Sequence, residues 1–211
     1  MKYKLIIFDF DGTLADTFPW MVSFGNKVAD KYKFKKVPET EIDYLRGLGA
    51  REIFKYLDIP IWKAPLIAKY ALGLLSENID KISLFDCIDD LLRRISNRGA
   101  TIAILSTNSF ANITTVLGPE KTTLIDQFEC GASIFGKRPK LRKILKKSGI
   151  PASEAIYIGD EIRDCEAANK EGVAFGAVSW GYTRVEALEA CHPAEVFTSV
   201  DQIVEKVLVN N

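Results

Sequence analysis

Two aspartates, Asp9 and Asp11, stand at the end of an apolar run at residues 5–7 and are followed by Gly12 and Thr13. An apolar run of this kind predicts a buried strand. Burying one unpaired carboxylate is costly, and a second carboxylate beside it adds like-charge repulsion. A divalent cation relieves both penalties, and Mg2+ prefers oxygen ligands while leaving room for a phosphate. The pair therefore predicts a Mg2+ site that includes a candidate nucleophile.

Three further segments carry reactive side chains directly after, or close to, predicted strands. They are Ser106-Thr107-Asn108 after residues 102–105, Lys137 within residues 135–139, and Asp160 with Asp164 after residues 156–159. In an open parallel sheet, ligands bind beyond the carboxyl ends of the strands. Phosphoryl transfer needs an oxygen nucleophile, a metal, a cationic side chain and hydrogen-bond donors around the phosphate. Asp9 is placed to be the nucleophile that forms an aspartyl-phosphate, and Asp11 to be the general acid and base.

The elements that would position these residues alternate between strand and helix over residues 84–211. Strands are predicted at 101–105, 155–158, 173–178 and 196–198, and helices at 86–98, 139–148 and 162–171 and from 183 and 199 onward. A capping-box pattern marks the helix start at Thr183. Such alternation predicts an α/β fold with a Rossmann-like parallel sheet covered by helices on both faces.

Residues 15–83 interrupt this alternation. They show helical patterns at 18–32, 50–57 and 62–76 without a clear strand, and they are too many for an ordinary connecting loop. We therefore predict two domains: an α/β core formed by residues 1–14 and 84–211, and an inserted all-helical cap domain at residues 15–83.

Composition excludes several classes of function. Lys plus Arg and Asp plus Glu are equal at 28 each, so the chain has no net field that would attract nucleic acid or an anionic membrane. No apolar run approaches the ~18 residues of a membrane span. The four cysteines are far apart, which is typical of reduced thiols in a cytoplasmic protein. A His-based triad is disfavoured because His192 is the only histidine. The sequence leaves open a monomer or a homodimer.

These four motifs, in this order, resemble the haloacid dehalogenase-like (HAD) hydrolase superfamily over essentially the whole chain. The Asp-x-Asp-Gly-Thr start is the most specific part, and the Gly-Asp-Glu-x-x-Asp segment is next. The position of the inserted segment is similar to the C1 helical cap of phosphoglycolate phosphatase-like members. The resemblance implies a Mg2+-dependent phosphomonoester hydrolase that acts on a small phosphorylated metabolite.

The resemblance also implies roles for single residues. Asp9 would be the nucleophile and a metal ligand, and Asp11 would be the acid/base with its backbone carbonyl on the metal. Asp160 would be the third protein ligand, and Asp164 would hold a water on the metal or support Lys137. Lys137 would neutralise the nucleophile and the phosphate.

Other residues would bind the substrate. Phosphate oxygens would be held by Ser106 and the amides of Thr107 and Asn108, and Thr13 belongs to the same predicted binding set. In the cap, residues 46–51 form a predicted loop with two cations, Arg46 and Arg51, that would help to set specificity.

Two positions depart from the family pattern. The third motif contains Lys140 as well as Lys137, and we favour Lys137 because it lies before the helix and nearer the strand end. The fourth motif has Glu161 where a small residue is common. Glu161 is either an additional ligand or an exposed acid in the first turn of a helix, where the helix dipole favours it.

Several rival functions stay open at this stage. A dehalogenase is disfavoured because Asp11 is present, and a sugar phosphomutase because Thr13 stands where mutases commonly have an aliphatic residue. A phosphonatase would need a cap lysine, and nothing distinguishes Lys55 or Lys63 for that role. A non-catalytic binding or regulatory protein on this scaffold is the rival of a different class. An ordinary nucleotide-binding Rossmann domain lacks its Gly-x-Gly-x-x-Gly motif after the first strand.

Overall fold

The computed structural model describes residues 2–132 and 136–208, which form a parallel sheet with helices around it. The strands are β1 (Leu5–Phe8), β2 (Thr101–Leu105), β3 (Gln127–Glu129), β4 (Ala155–Gly159), β5 (Ala174–Val178) and β6 (Glu195–Phe197). The helices are α1 (Phe18–Tyr32), α2 (Glu39–Leu45), α3 (Ala50–Tyr56), α4 (Ala64–Ser76), α5 (Ile88–Asn97), α6 (Phe110–Thr122), α7 (Arg138–Ser148), α8 (Ile162–Glu171), α9 (Val185–Glu189) and α10 (Val200–Leu208).

The sheet is buried on both faces, which explains why its central strands are apolar throughout. Ile6 and Phe8 of β1 pack into the hydrophobic cluster on one face, whereas Leu5 and Ile7 pack into the cluster on the other. All four side chains are fully buried. Alternate residues point to opposite faces of a strand. A strand covered on both faces therefore has no alternating set of solvent-facing polar positions. The predicted α/β Rossmann-like core is confirmed.

The strand order is β3-β2-β1-β4-β5-β6, with every neighbouring pair parallel. The chain starts in the middle of the sheet, builds outward to β3, and then returns to the other side of β1 with β4. This reversal opens a crevice beyond the carboxyl ends of β1 and β4, the place where open α/β sheets bind ligands. The first and fourth sequence motifs therefore meet at one point.

Along the chain, helices α1–α4 lie between β1 and α5, before the remaining five strands. No described residue of 15–83 belongs to one of the six strands. The beginning and the end of this helical segment lie side by side and are joined by two hydrogen bonds. The Asp16 amide donates to the Ser83 carbonyl, and the Phe85 amide donates to the Leu14 carbonyl, both at 2.9 Å. The segment thus leaves and re-enters the chain at one junction. The division into a core and a cap at residues 15–83 stays a prediction, which this junction supports.

Three elements were not predicted, each for a local reason. Strand β3 has only three residues, too few for a periodic pattern. Helix α6 is interrupted at Gly118, which has non-helical backbone angles and precedes a proline. Helix α2 buries Leu45 alone, so it lacks an apolar stripe.

One predicted helix start is wrong. Helix α9 begins at Val185 rather than at Thr183, and its N-cap position, Arg184, makes no side-chain capping bond. The backbone amide of Thr183 is instead used in a 3.2 Å hydrogen bond to the carbonyl of Asp160. The segment before α9 is therefore shaped by the neighbouring strand end.

Two further predictions concern membrane-spanning helices and the cysteines. Among residues 2–132 and 136–208, none of the helices is both long and apolar enough to span a membrane. Cys87, Cys130, Cys165 and Cys191 are all free thiols.

Candidate active site

Asp9 is held in one orientation at the end of β1. Its own amide continues the sheet ladder by donating to the Ile158 carbonyl at 2.9 Å. One carboxylate oxygen accepts from the Phe10 amide at 2.7 Å, and the other accepts from Lys137 at 2.5 Å. Only 2 % of Asp9 is exposed, so these contacts and not water fix the carboxylate.

Lys137 is the cation at the centre of the site. Its ammonium lies 2.5 Å from Asp9 and 2.5 Å from Asp164, and its side chain is almost fully buried. It stands immediately before α7, whose first residue is Arg138. The predicted third motif starts at Phe135, which lies outside the described residues, whereas Lys137 lies within them.

Lys140, the rival lysine, lies one helical turn further on and points elsewhere. Its ammonium donates to the main-chain carbonyls of Ser106, at 2.9 Å, and Gly131. Lys140 thus tethers the ends of two strands, whereas Lys137 contacts the carboxylates. This difference supports the preference for Lys137.

Asp160 lies in the turn between β4 and α8, and Asp164 lies in the first turn of α8. Asp160 accepts from the Thr13 hydroxyl at 2.7 Å and from the Tyr182 amide at 2.8 Å. Asp164 accepts from the Tyr157 hydroxyl at 2.9 Å and from the Glu161 amide at 3.1 Å, the second of which caps α8. Both aspartates are fully buried.

Glycine permits this close packing around Asp160. Gly12 has a positive φ of 77°, and a β-carbon there would collide with the Asp160 carboxylate. Gly181 approaches the same side chain just as closely from the loop after β5. The Gly12 of the first motif is therefore required both by its backbone conformation and by its contact with the fourth motif.

Burial and the mutual repulsion of the carboxylates shift their pKa values. Burial, followed by repulsion from Asp164, raises the pKa of Asp9 to about 7, although Lys137 opposes the shift. Burial and the proximity of Asp9 raise the pKa of Asp160 well above its ordinary value. Burial also works against the charge on Lys137, but Asp164 and Asp9 outweigh it and raise the pKa of the lysine.

The acidic cluster fits a hard divalent cation. Asp9, Asp160 and Asp164 each offer a carboxylate oxygen, and these atoms lie within 4.8 Å of one another. Within residues 2–132 and 136–208, Lys137 is the only cation paired with this buried trio, so full ionisation of the three carboxylates would leave about two negative charges without a partner. A set of oxygen donors with that excess of negative charge suits Mg2+.

Asp11 and the second motif form a neighbouring polar group. One oxygen of Asp11 accepts from the Asn108 amide group at 3.1 Å, and the other lies 3.4 Å from the Ser106 hydroxyl. Burial raises the pKa of Asp11, and the hydrogen bond from Asn108 opposes the increase. The Ser106 hydroxyl also accepts from the backbone amide of Asn108 at 3.0 Å, whereas Thr107 is partly exposed. The structure thus brings the first and second motifs together.

The predicted cap cations differ in their surroundings. Arg46 donates to the carbonyls of Gly181 and Tyr182, at 2.9 and 3.1 Å, and therefore contacts the core. Arg51 is exposed in the first turn of α3. Glu161 pairs with Arg163 at 2.5 Å and does not belong to the oxygen cluster of the three aspartates. The substrate-binding roles of Arg46 and Arg51 stay predictions.

Two residues of the site, Tyr157 and Asn112, were not predicted from the sequence. Tyr157 was part of an apolar strand, and only the structure shows that its hydroxyl reaches Asp164. Asn112 donates at 2.9 Å to the side-chain oxygen of Asn108 and so fixes the amide that faces Asp11. Its position one helical turn after Asn108 is the only signal that could have revealed it.

Sequence comparison relates the chain to known proteins. Residues 6–178 match the family described as haloacid dehalogenase-like hydrolase. A phosphoglycolate phosphatase from Synechococcus elongatus is 30% identical over 205 residues, which cover 97% of each chain. A phosphoglycolate phosphatase from Vibrio vulnificus is 26% identical and covers 99% of this chain and 98% of its own.

Solved structures show the same fold at lower identity. A haloacid dehalogenase-like family hydrolase from Streptococcus pneumoniae superposes with a TM-score of 0.80 at 18% identity, covering 97% of this chain and 98% of its own. CbbY from Rhodobacter sphaeroides, solved in complex with phosphate, gives a TM-score of 0.72 at 21% identity and covers 95% and 96%. Together with the sequence matches, these similarities confirm an enzyme of the phosphatase type. The chain belongs to the haloacid dehalogenase-like hydrolase family.

Proposed function

We propose that this phosphatase is a Mg2+-dependent phosphomonoesterase that hydrolyses a small phosphorylated metabolite through an aspartyl-phosphate on Asp9. The observation that carries the proposal is the clamp on Asp9: a buried carboxylate fixed by the Phe10 amide and by Lys137 at the switch point of the sheet. A carboxylate fixed in this way is a competent oxygen nucleophile.

Asp9 would attack the phosphorus in line with the leaving oxygen. A bond forms between a carboxylate oxygen and phosphorus while the bond from phosphorus to the ester oxygen breaks. Lys137, which contacts the nucleophile directly, offsets part of the negative charge that gathers there. The attack needs the ionised form of Asp9, which burial alone disfavours.

Asp11 would move the protons. Burial raises the pKa of its carboxyl, so the protonated form that a leaving alkoxide needs is easier to populate. After it donates that proton, the ionised Asp11 takes a proton from the water that attacks the aspartyl-phosphate. Asn108 and Ser106 hold the carboxyl in place for both steps.

Mg2+ would be held by Asp9, Asp160 and the backbone carbonyl of Asp11. When bound, it would neutralise charge on the phosphate and on the clustered carboxylates. The two oxygens of Asp164 already accept from Lys137, Tyr157 and the Glu161 amide, which favours a supporting role for Asp164. The resemblance assigns the phosphate oxygens to Ser106, to the amides after it and to Thr13.

Phosphoglycolate is the first substrate to test, because the relative from Synechococcus elongatus with that name is 30% identical over nearly the whole chain. We also infer a cytoplasmic location, which the four free thiols support. The proposed partner is the small phosphorylated substrate, with no nucleic acid or membrane partner and either a monomeric or a homodimeric state.

The test is a screen of phosphate esters that includes phosphoglycolate, sugar monophosphates and sugar bisphosphates, each with Mg2+ or with EDTA. The proteins compared are wild type, Asp9→Asn and Asp16→Asn, the last being an exposed acid of the same segment. We expect Mg2+-dependent phosphate release by wild type and Asp16→Asn, and none by Asp9→Asn. Full activity in Asp9→Asn would refute the assignment of the nucleophile.

A further inference from the structure

The loop after β5, residues 180–184, contacts Asp160 closely, and we name it the latch segment. The backbone amide of Tyr182 donates to the Asp160 carboxylate at 2.8 Å, and the amide of Thr183 donates to the Asp160 carbonyl at 3.2 Å. Gly181 packs so closely against Asp160 that a β-carbon would collide with it. The orientation of the Asp160 carboxylate therefore depends on the conformation of this segment.

The helical segment contacts the latch segment from the other side. Arg46, at the end of α2, donates from Nη2 to the Gly181 carbonyl at 2.9 Å and from Nε to the Tyr182 carbonyl at 3.1 Å. In return, the backbone amide of Arg184 donates to the Arg46 carbonyl at 2.9 Å. Three hydrogen bonds thus join Arg46 to Gly181, Tyr182 and Arg184 of the latch segment, which are at least 135 residues away in the chain.

Neighbouring contacts strengthen the same connection. The hydroxyl groups of Tyr182 and Thr17 are 2.7 Å apart, and Arg184 pairs with Asp43 of α2 at 3.3 Å. A β-carbon at Gly47 would lie only 2.6 Å from the Arg184 guanidinium, so a glycine leaves room for that side chain. Arg46 itself lies over the ring of Phe18, 5.0 Å from its centroid.

The chemistry of the contact requires arginine. A guanidinium presents a rigid planar set of donors that can reach two adjacent carbonyls at once, whereas a lysine ammonium is a flexible point charge. Two of the three guanidinium nitrogens of Arg46 already donate to main-chain carbonyls, and the third lies 3.9 Å from Asp43. The hydrogen bonds of the Arg46 side chain are thus made to the latch segment.

We propose that Arg46 is a positioning residue that couples docking of the helical segment to the orientation of Asp160. When Arg46 is docked, it fixes the carbonyls of Gly181 and Tyr182, and the Tyr182 amide then holds the Asp160 carboxylate. When Arg46 is released, the latch segment loses its outer support and Asp160 loses its fixed orientation. The effect on catalysis rests on the proposed phosphatase function, whereas the structural coupling does not.

The test compares Arg46→Lys, which keeps the charge but loses the planar donor set, with Arg98→Lys, a matched change at an exposed position at the end of α5. Arg46→Gln, which keeps a planar amide, runs in parallel as a second variant. The first readout is hydrogen exchange of the Tyr182 and Thr183 amides. We expect both Arg46 variants to exchange about tenfold faster or more at these amides, and Arg98→Lys to match wild type.

The second readout is steady-state kinetics on the best ester of the screen. We expect the Arg46 variants to lower kcat and to raise the Mg2+ concentration that gives half-maximal activity, with KM for the ester little changed. Unchanged amide exchange would overturn the proposal, and a rise in KM alone would identify Arg46 as a substrate ligand instead. If wild type showed no phosphatase activity, the proposed function would fail while the exchange experiment still decided the coupling.

Discussion

The most informative perturbation is Lys137→Met, which removes the charge at the centre of the site and keeps most of the side chain's length. The ammonium of Lys137 bonds to two carboxylates at 2.5 Å, and all three groups are nearly inaccessible to solvent. Methionine adapts to irregular apolar surroundings, so the change tests charge more than volume. The change therefore leaves Asp9 and Asp164 buried without their shared cation.

The expected loss of folding stability in Lys137→Met follows from that burial. Removing one partner of a buried ion pair costs about 3–5 kcal/mol because the remaining charge is desolvated and unpaired. That loss is a large part of the ~5–15 kcal/mol that stabilises a typical domain. Protonation of Asp9, whose pKa is already about 7, relieves part of the cost at lower pH. We therefore expect a loss of about 3–5 kcal/mol near pH 7.5 in EDTA and a smaller loss near pH 5.5.

Activity should fall with stability but for a separate reason. Removing one group that stabilises charge in a transition state typically costs about 100- to 1,000-fold in kcat. We expect a loss of that order in Lys137→Met under conditions where the variant is still folded. The assay pairs urea unfolding with initial rates of phosphate release, both measured with and without Mg2+.

Lys140→Met is the matched control. Lys140 donates to two main-chain carbonyls and contacts no carboxylate of the site, so we expect a stability loss of about 1–3 kcal/mol and less than a tenfold loss of kcat. If Lys140→Met abolished activity and Lys137→Met kept it, the assignment of the active-site lysine would be wrong. A Lys137→Met protein as stable as wild type in EDTA near pH 7.5 would contradict the electrostatic argument.

Three further perturbations test single features of the site. Burial raises the pKa of Asp9 from 3.8 to about 7, so ionising this carboxyl costs folding free energy. Raising the pH from about 5 to 7.5 in EDTA should therefore destabilise wild type relative to Asp9→Asn by about 2.5 kcal/mol, measured by urea unfolding. Tyr157→Phe deletes a hydroxyl that donates to Asp164 at 2.9 Å and should lower kcat by about tenfold with KM unchanged. Asn112→Ala frees the Asn108 side chain and should lower kcat by several-fold, also in steady-state assays.

Each of these has its own control. Asp16→Asn changes an exposed acid and keeps Asp9, so its stability should follow the wild-type curve across pH, whereas parallel wild-type and Asp9→Asn curves would contradict the raised pKa of Asp9. Tyr32→Phe removes a hydroxyl that donates to the Leu66 carbonyl in the helical segment, so an equal loss of kcat there would exclude a specific effect of Tyr157. Ser76→Ala removes the other partner of Asn112 and should keep near-wild-type activity.

Much of the sheet was predictable because its strands are buried on both faces. β1, β2, β4 and β5 are continuous apolar runs, and the two strongest motifs follow β1 and β4. Such strands can be predicted because burial on both faces requires apolar residues throughout. The site can be predicted too, because an acid buried at a strand end is costly and therefore unusual. The three-residue β3 offered neither signal.

The contacts that complete the site depend on tertiary structure. The Arg46 side chain reaches carbonyls of Gly181 and Tyr182, and no local pattern encodes a pairing across so long a separation. The choice between Lys137 and Lys140 likewise depends on where α7 begins relative to β1, which the structure supplies. Tyr157 looks like an ordinary core aromatic until its hydroxyl is seen beside Asp164.

The central claim is that phosphate passes through a covalent bond to Asp9. The most direct measurement mixes wild-type enzyme and Mg2+ with the best phosphate ester, quenches the reaction in acid during turnover, and maps the phosphoryl group by mass spectrometry of the peptides. We predict a phosphoryl group on Asp9 in wild type and none in Asp9→Asn. Turnover without any phosphorylated peptide, or with the phosphoryl group on another residue, would contradict the mechanism.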